Sequence, residues 1–225
     1  LDQARADDQA GAVMNKGEQE LLRRAASVIG HDLRNPLAVI NNSAYFVRAK
    51  LGQAKLDPKV EKHLKIIESE ISRADKLLAD MLTFSRPYEP AAETMPLDSV
   101  VADAVESFPK PEGGKIDLKL GAKGVNAKFD GKAIGDALKR LIDNAFAAQE
   151  EKGTVKVVTA AGKDGLTVTV TDAGMGVDAK IESVMYEAFM TTKPKGLGLG
   201  LALARKYLEG NGGSVTHETG PKCAS

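Results

Sequence analysis

The chain has 225 residues, of which 43% are hydrophobic, and its 31 basic and 31 acidic side chains cancel to a formal net charge of zero. This composition fits one large or two small globular domains, and the lack of net positive charge argues against nucleic-acid binding. The single cysteine, Cys223, excludes an internal disulfide framework and suits a reducing compartment. No apolar run reaches the roughly 20 residues of a membrane span. We expect this part of the protein in the cytoplasm, and membrane attachment only through a preceding N-terminal part, since the first residue is not Met.

Two apolar series with alternating spacings of four and three predict two long helices in residues 1–86. The first series runs from Leu22 to Leu51, and the second runs from Val60 to Ser85. Such spacings are heptad seams, and the short segment GQAKLDP between them predicts a helical hairpin. Because two helices alone bury too little apolar surface, we predict that two copies pair into a four-helix bundle, which makes the protein a homodimer.

The second half has a different period. Three prolines in SRPYEPAAETMPL interrupt the helical pattern and predict a linker over residues 87–96. Residues 97–225 then read as a helix, two short strands, a long amphipathic helix, a hairpin around Lys-Asp-Gly, a glycine-rich stretch and a last helix. This order predicts an α/β sandwich with several helices on one face of a mixed sheet.

The stretch GHDLRNPL raises the question of why a helix exposes a histidine to solvent. The heptad phase places His31 farthest from the seam, with Asn35 one turn on along the same face and Asp32 beside the ring. Pro36 removes a backbone hydrogen bond and predicts a kink below His31. A solvated surface histidine explains this segment equally well. His63 and His217 have no partner motif, and we interpret both as surface or structural residues.

Three further signals lie in the second half. Asn144 stands in mid-helix, where an amide oxygen suits Mg²⁺ bridging phosphates. Asp172 ends a strand before Gly174 and Gly176, so its carboxylate is placed to accept a hydrogen bond from an adenine amino group. The third signal is a run of glycines whose bare N–H groups lead into a helix and favour an anion: Gly196, Gly198 and Gly200. Taken singly, each signal is weak, and an ordinary turn also explains the strand-end Asp-x-Gly and the glycine run before the helix.

Taken in order, these segments resemble the kinase core of sensor histidine kinases of two-component signalling. HDLRNPL is similar to the phosphoacceptor box, LIDNA to the asparagine box, DAGMGV and GLGLGL to the two glycine boxes, and YEAFMTTKPKG to the phenylalanine box. The short gap between Phe189 and the glycines most resembles the nitrogen- and oxygen-regulatory kinases, which implies a compact lid over ATP. The implied fold is a dimeric four-helix bundle followed by an α/β sandwich ATP-binding domain.

The resemblance implies a protein-histidine kinase that takes the γ-phosphate of ATP onto His31 and passes it to an aspartate of a response regulator receiver domain. Asp32 would orient the ring and accept its proton, and Asn35 would align water for dephosphorylating the regulator. Asn144 would bind Mg²⁺, and Lys193 would reach the phosphates. The implied ATP-binding residues are Arg140, Asn144, Asp172, Gly174, Gly176, Phe189, Thr192, Lys193, Gly196, Gly198, Leu199 and Gly200. The helix face around Ala38, Asn42 and Tyr45 is the expected docking surface for the regulator.

Three positions depart from the family pattern. Arg140 stands where the family usually has Asn, Ala147 where it often has a basic residue, and the chain stops at GPKCAS, where the family continues into one more strand. Two rival hypotheses remain open. The first is a phosphotransfer protein whose nucleotide domain has decayed, and the second is an ATPase of the related chaperone, topoisomerase and mismatch-repair type.

Overall fold

The computed structural model describes residues 16–51, 57–150, 152–163, 165–193 and 196–218, with the side chains of the first helix described from Leu33 onward. The chain divides into two compact units, a helical one that ends at Pro87 and a second that begins at Tyr88.

The first unit is a helical hairpin, which confirms the prediction for this half. Helix α1 spans Lys16–Leu51 and helix α2 spans Pro58–Ser85. The carboxylate of Asp57 caps α2 by accepting a hydrogen bond from the Lys59 N–H at 2.7 Å, and Pro58 occupies the first helical position, where its missing N–H costs nothing. Helix α1 is continuous through Pro36, and the kink there stays a prediction.

Each helix of the hairpin carries two apolar lines with a spacing of seven residues. In α2, one line is buried within the single chain, namely Leu64, Ile71 and Leu78, and it faces α1. The other line is exposed, with Val60 and Ile67 each 43% accessible. In α1, Ala44 is buried, whereas Leu33, Ile40 and Val47 form the exposed line. A single chain therefore covers only half of its heptad seam.

The second unit contains five strands and four helices in its described residues. They are β1 (Glu93–Pro96), α3 (Leu97–Glu106), β2 (Gly114–Lys119), β3 (Asn126–Phe129), α4 (Gly131–Ala148), β4 (Gly153–Gly162), β5 (Gly165–Thr171), α5 (Ala179–Glu182) and α6 (Gly200–Gly210). Strand β4 is central in the larger sheet, parallel to β2 and antiparallel to β5, while β1 and β3 form a separate antiparallel pair. The mixed sheet and the β4–β5 hairpin agree with the sequence prediction.

The core of this unit lies between one face of the sheet and helices α3 and α4. Val155 and Val157 point inward from β4 and meet Val101 of α3 and Ile142 of α4, all of them fully buried. The alternation along β4, with exposed Lys156 between the two valines, is that of a sheet covered on one face. The helices therefore share one face, as predicted.

The proline-rich segment predicted as a linker has structure of its own in its second part. Glu93–Pro96 forms β1, which pairs with β3 through four residues, and Tyr88 already belongs to the second unit. Pro96 ends the strand and caps α3 with extended backbone, a conformation that proline adopts readily. Proline is compatible with pairing at the edge of a two-stranded sheet. The sequence pattern suggested a linker because of its prolines, and for this reason the strand that begins there was not predicted.

A polar cluster fixes the start of the second unit to its helices. The Tyr88 hydroxyl donates to Asp130 Oδ2 at 3.1 Å and accepts from Asn211 Nδ2 at 2.9 Å, while the Asp130 N–H donates to Asn211 Oδ1 at 2.7 Å. Asp130 also caps α4 by accepting from the Ala133 N–H. The Tyr88 ring packs edge-on against Tyr207 with centroids 5.0 Å apart. One cluster thus ties together the chain entry, the start of α4 and the end of α6.

Burial raises the pKa of the Tyr88 phenol to about 12, and the hydrogen bond from Asn211 only partly offsets this. Burial also acts to raise the pKa of Asp130, but hydrogen bonds from the backbone N–H groups of Ala133 and Ala91 and from Tyr88 leave it below its ordinary value. The folded unit therefore keeps Tyr88 protonated and Asp130 ionised, which are the states that their shared hydrogen bond requires.

We predict that Tyr88→Phe lowers the free energy of unfolding of the second unit by about 1–3 kcal/mol, because two half-buried partners, Asp130 and Asn211, lose one hydrogen bond each. Tyr45→Phe is the matched control, since Tyr45 is 73% exposed. Urea unfolding of the full chain near neutral pH measures both. Because the phenol pKa is raised on folding, the Tyr88 contribution is complete below pH 10 and is lost as the pH rises toward 12. Equal unfolding free energies for the two variants would contradict this role.

Candidate active site

Helices α4 and α6 pack together and run in opposite directions. The N-terminus of α4 and the C-terminus of α6 meet at the Asp130–Asn211 hydrogen bond. At about 1.5 Å per residue, Arg140 lies roughly 15 Å up α4 from that bond, and Gly200 lies roughly 16 Å up α6. The fold therefore brings the far part of α4, which carries Arg140 and Asn144, to the level at which α6 begins.

Asn144 lies on the part of α4 nearest the lid. It is half-buried, and its Oδ1 accepts a hydrogen bond of 3.1 Å from the ammonium of Lys193. Arg140 is half-buried one turn earlier on the same helix. Two residues predicted for the nucleotide site, Asn144 and Lys193, are thus in direct contact across 49 positions of sequence.

The loop after β5 is shaped by Asp172. Its Oδ1 accepts from the Gly174 N–H at 2.8 Å, a local turn typical of aspartate, while Asp172 itself is exposed. A Cβ on Gly174 would lie 2.8 Å from both Cβ and the carbonyl oxygen of Ala148, so only glycine lets this loop contact the end of α4. Gly176 has φ +78°, which also favours glycine. The loop thus stands beside the helix that carries Asn144.

The lid segment runs from Phe189 to Gly198, and a backbone hydrogen bond joins its two ends. The Phe189 N–H donates to the Gly198 carbonyl at 3.0 Å, and both residues have positive φ, +69° and +67°. A Cβ on Gly198 would lie 2.5 Å from the Met190 carbonyl oxygen, so glycine is required for this approach as well as for the backbone angle. The left-handed conformation of Phe189 is strained for a non-glycine residue and persists because the closed base holds it. A compact lid over ATP stays a prediction.

The base of the lid adjoins the start of α6. Leu199 is buried at 2% exposure and precedes the helix, and no side chain caps the helix N-terminus. Gly200 opens α6 with free space where a side chain would be. Gly196 and Thr192 are exposed. Leu199, at the N-cap position, offers no side-chain acceptor to the first N–H groups of α6, which suits an anion site at a helix start.

An ion pair that the sequence analysis missed joins α6 to the residues just before Phe189. Arg205 of α6 lies 3.3 Å from Glu187, two residues before Phe189, and 2.7 Å from Glu209 one turn further on. The hydrogen bond that Arg205 donates to Glu209, with the nearby charges of Glu209 and Glu187, raises the pKa of Arg205 above its ordinary value. Only the Arg205–Glu209 spacing of four residues could have been anticipated from sequence.

The hairpin residues of the predicted site are described only in part. Asn35 is exposed on α1, as predicted. The backbone of His31 and Asp32 lies within α1, and their side chains lie outside the described part. His63 is exposed, whereas His217 is half-buried with Nδ1 at 3.5 Å from Glu182. The roles of His31, Asp32 and Asn35 stay predictions.

The residues around Asn144 fit a hard cation that is bound mainly by waters and phosphate oxygens rather than by protein side chains. Among the described residues no group of three or more His, Cys, Asp or Glu side chains is placed to hold a metal. Asn144 Oδ1 already accepts from the Lys193 ammonium, so this oxygen faces a position where a cation is stable. A single neutral oxygen suits Mg²⁺, which keeps several waters and completes its shell with phosphate oxygens.

Comparisons with known proteins place these features in a family. Residues 21–89 match the family model of the His Kinase A (phospho-acceptor) domain, and residues 129–224 match that of the histidine kinase-, DNA gyrase B-, and HSP90-like ATPases. The chain thus joins a phospho-acceptor hairpin to an ATPase-type α/β domain. It belongs to the sensor histidine kinases of two-component systems.

Individual relatives agree with this assignment. The chain is 31% identical over 197 residues to sensor histidine kinase MtrB of Mycolicibacterium paratuberculosis, covering 82% of this chain and 34% of the relative. It is 26% identical over 219 residues to sporulation kinase A of Bacillus subtilis, covering 95% and 35%. The chain spans about a third of the length of these curated relatives. The structure of full-length ShkA in complex with AMPPNP has the same fold, with a TM-score of 0.66 at 20% identity over 84% of this chain and 41% of that one.

The helices within the described residues include none that is long and apolar enough to cross a membrane.

We predict that Gly198→Ala weakens binding of a non-hydrolysable ATP analogue by about tenfold or more, because the new methyl group opens the neck between Phe189 and Gly198. Gly135→Ala is the control, since a Cβ there meets only ordinary contacts at 3.8 Å or more. Calorimetric titration measures both affinities. Unchanged affinity in Gly198→Ala would mean that the closed neck does not shape the nucleotide site.

Proposed function

We propose that this chain is the core of an ATP-dependent protein-histidine kinase that phosphorylates its own His31. The observation that carries the proposal is the convergence of Asn144, Lys193 and the uncapped start of α6 at one end of the α/β unit. These groups offer an amide oxygen, a lysine ammonium and N–H donors at a helix start, which are the groups that a triphosphate with its metal needs. The domain pairing and the MtrB relative support the same reading.

The reaction is an in-line displacement at the γ-phosphorus of ATP. One ring nitrogen of His31 forms a bond to phosphorus, the bond to the β,γ-bridging oxygen breaks, and ADP leaves with that electron pair. Asp32 holds the ring through the other nitrogen and accepts its proton. Such transfers depend mainly on positioning and charge neutralisation, so a histidine delivered to the bound nucleotide suffices. The phosphohistidine bond is labile and suits onward transfer to an aspartate.

Within the α/β unit, each predicted residue has a distinct task. Asp172 reads the adenine amino group with the oxygen that does not bond Gly174, and this carboxylate would repel the carbonyl of guanine. Arg140 and Lys193 neutralise phosphate charge, and the lid between Phe189 and Gly198 covers the nucleotide. Bound Mg²⁺, held by Asn144, would neutralise the charge that develops on the phosphate oxygens.

We predict that His31→Gln abolishes labelling by γ-labelled ATP while binding of the ATP analogue stays within about twofold, because His31 accepts the phosphoryl group and does not build the nucleotide site. His63→Gln, an exposed histidine on α2, is the control and keeps the label. The label should be acid-labile and base-stable. Nucleotide binding without label in the unaltered chain would rule out the kinase, and loss of nucleotide binding would favour the phosphotransfer protein.

We also propose a homodimer, on the strength of the exposed heptad lines. The exposed lines consist of Leu33, Ile40 and Val47 on α1 and of Val60 and Ile67 on α2, and all of them occupy seam positions of the heptad pattern. A single chain leaves them exposed to water. Because each of these residues is already about half covered in the single chain, burying the rest contributes roughly 1 kcal/mol per side chain. A second copy supplies the matching seam and completes a four-helix bundle.

We predict that Ile67→Glu weakens dimerisation by about 100-fold or more, since each dimer would bury two unpaired carboxylates at the seam. Ile66→Glu is a closely matched control, because Ile66 and Ile67 are 44% and 43% exposed while Ile66 lies off the heptad line. Analytical ultracentrifugation distinguishes the two. Equal dimer affinities for the two variants would place the interface elsewhere.

The partner of the phosphorylated hairpin is the receiver domain of a response regulator. We propose that it docks on the face of α1 around Ala38, Asn42 and Tyr45, all of which are exposed. Asn35 lies on α1 where it can align water, which would give the reverse reaction, dephosphorylation of the regulator. We place the site in the cytoplasm, where ATP and the regulator are available, with membrane attachment outside these residues.

A further inference from the structure

The contact between Lys193 and Asn144 joins the lid to the metal-binding position proposed above. Lys193 Nζ donates to Asn144 Oδ1 at 3.1 Å, and both residues keep some exposure to solvent. The backbone of Lys193 is set by a turn in which its N–H donates to Thr191 Oγ1 at 3.0 Å. Contacts that hold the lid among the described residues thus include the Phe189–Gly198 neck and the Lys193–Asn144 hydrogen bond.

An ammonium and Mg²⁺ cannot both bind Asn144 Oδ1 without strong charge repulsion between them. Mg²⁺ would stand about 2.1 Å from Oδ1 and brings six ordered ligands, waters among them. A lysine at 3.1 Å from the same atom would lie within about 5 Å of a doubly charged ion, where like charges repel strongly unless phosphates lie between them. Binding of Mg²⁺ at this oxygen therefore requires that the Lys193 ammonium move away from it.

We propose that Lys193 is an internal counter-cation that latches the lid onto Asn144 in the nucleotide-free protein and is displaced when Mg²⁺ and nucleotide arrive together. The displaced ammonium then moves to the phosphates, so that metal loading and lid release become one exchange at one oxygen. The inference rests on the proposed nucleotide site, and it adds a regulatory role to Lys193 that phosphate binding alone does not require.

The latch is tested first in the full chain without nucleotide, by amide hydrogen exchange at Phe189 and Lys193, whose N–H groups have acceptors within the lid. Lys193→Met should speed exchange at both amides by about two- to fivefold, the effect of losing one exposed hydrogen bond. Asn144→Leu should do the same, and the double variant should exchange no faster than either single variant, because both remove one interaction. Asn144→Asp should slow exchange, since a carboxylate holds the ammonium more strongly.

Lys163→Met is the control, because Lys163 is an exposed lysine in the turn between β4 and β5. It removes the same charge and should leave exchange at both lid amides unchanged. Unchanged exchange in Lys193→Met, equal acceleration by the control, or additive effects of the two site variants would each overturn the latch.

The role of the metal is tested with ADP, which binds without phosphoryl transfer. In the unaltered chain, ADP with Mg²⁺ should release the latch and speed exchange at the Lys193 amide, whereas ADP with a chelator should leave it within about twofold. Equal acceleration under both conditions would mean that the metal is not the displacing cation. A chain that shows the latch but never labels His31 would refute the kinase proposal and leave the latch standing, so the two failures are distinguishable.

Discussion

The α/β unit depends on the arrangement of hydrogen bonds around Asp130. Its carboxylate caps α4 and accepts from Tyr88 and the Ala91 N–H, while its own N–H donates to Asn211 at the end of α6. A single residue thus fixes the start of one helix, the end of another and the chain entering the unit. Hydrogen bonds to an ionised carboxylate are about twice as strong as neutral ones, which suits a joint that sets the spacing of two site helices.

The opposite end of the same two helices is built on glycine and strained backbone. Gly174 contacts α4 closely, Gly198 contacts Met190 closely, and Phe189 adopts a left-handed conformation. Asp172 and Lys193 at this end are exposed. The helix residues beside these loops, such as Phe146, Leu199 and Leu203, are buried, so the strained backbone is confined to the loops. The two ends of α4 and α6 thus differ, because side-chain hydrogen bonds hold one end and close glycine contacts shape the other.

The sequence predicts the fold well because its signals are periodic. Heptad spacing gave the hairpin, and β-branched runs around Lys-Asp-Gly gave β4 and β5. Asn144 and Lys193, which were predicted separately for the nucleotide site, are in contact, although their 49-residue separation carries no signal of it. The cluster of Tyr88, Asp130 and Asn211 was missed, because its members lie 42 and 81 positions apart and carry no pattern. Strand β1 was missed because prolines usually mark a linker, whereas here one ends an edge strand.

Rigid helices with a fixed joint limit where conformational change can occur. Since α4 and α6 are held at Asp130 and packed along their length, neither can slide relative to the other without breaking several hydrogen bonds. The segment between Phe189 and Gly198 is held, among its described residues, by contacts that include the neck and the Lys193 hydrogen bond. We propose that the response to nucleotide is taken up there, and a contact worth only a modest free energy suffices to set its position. A cation exchange at Asn144 is of the right size for such control, because it changes one weak bond while the joint at Asp130 stays intact.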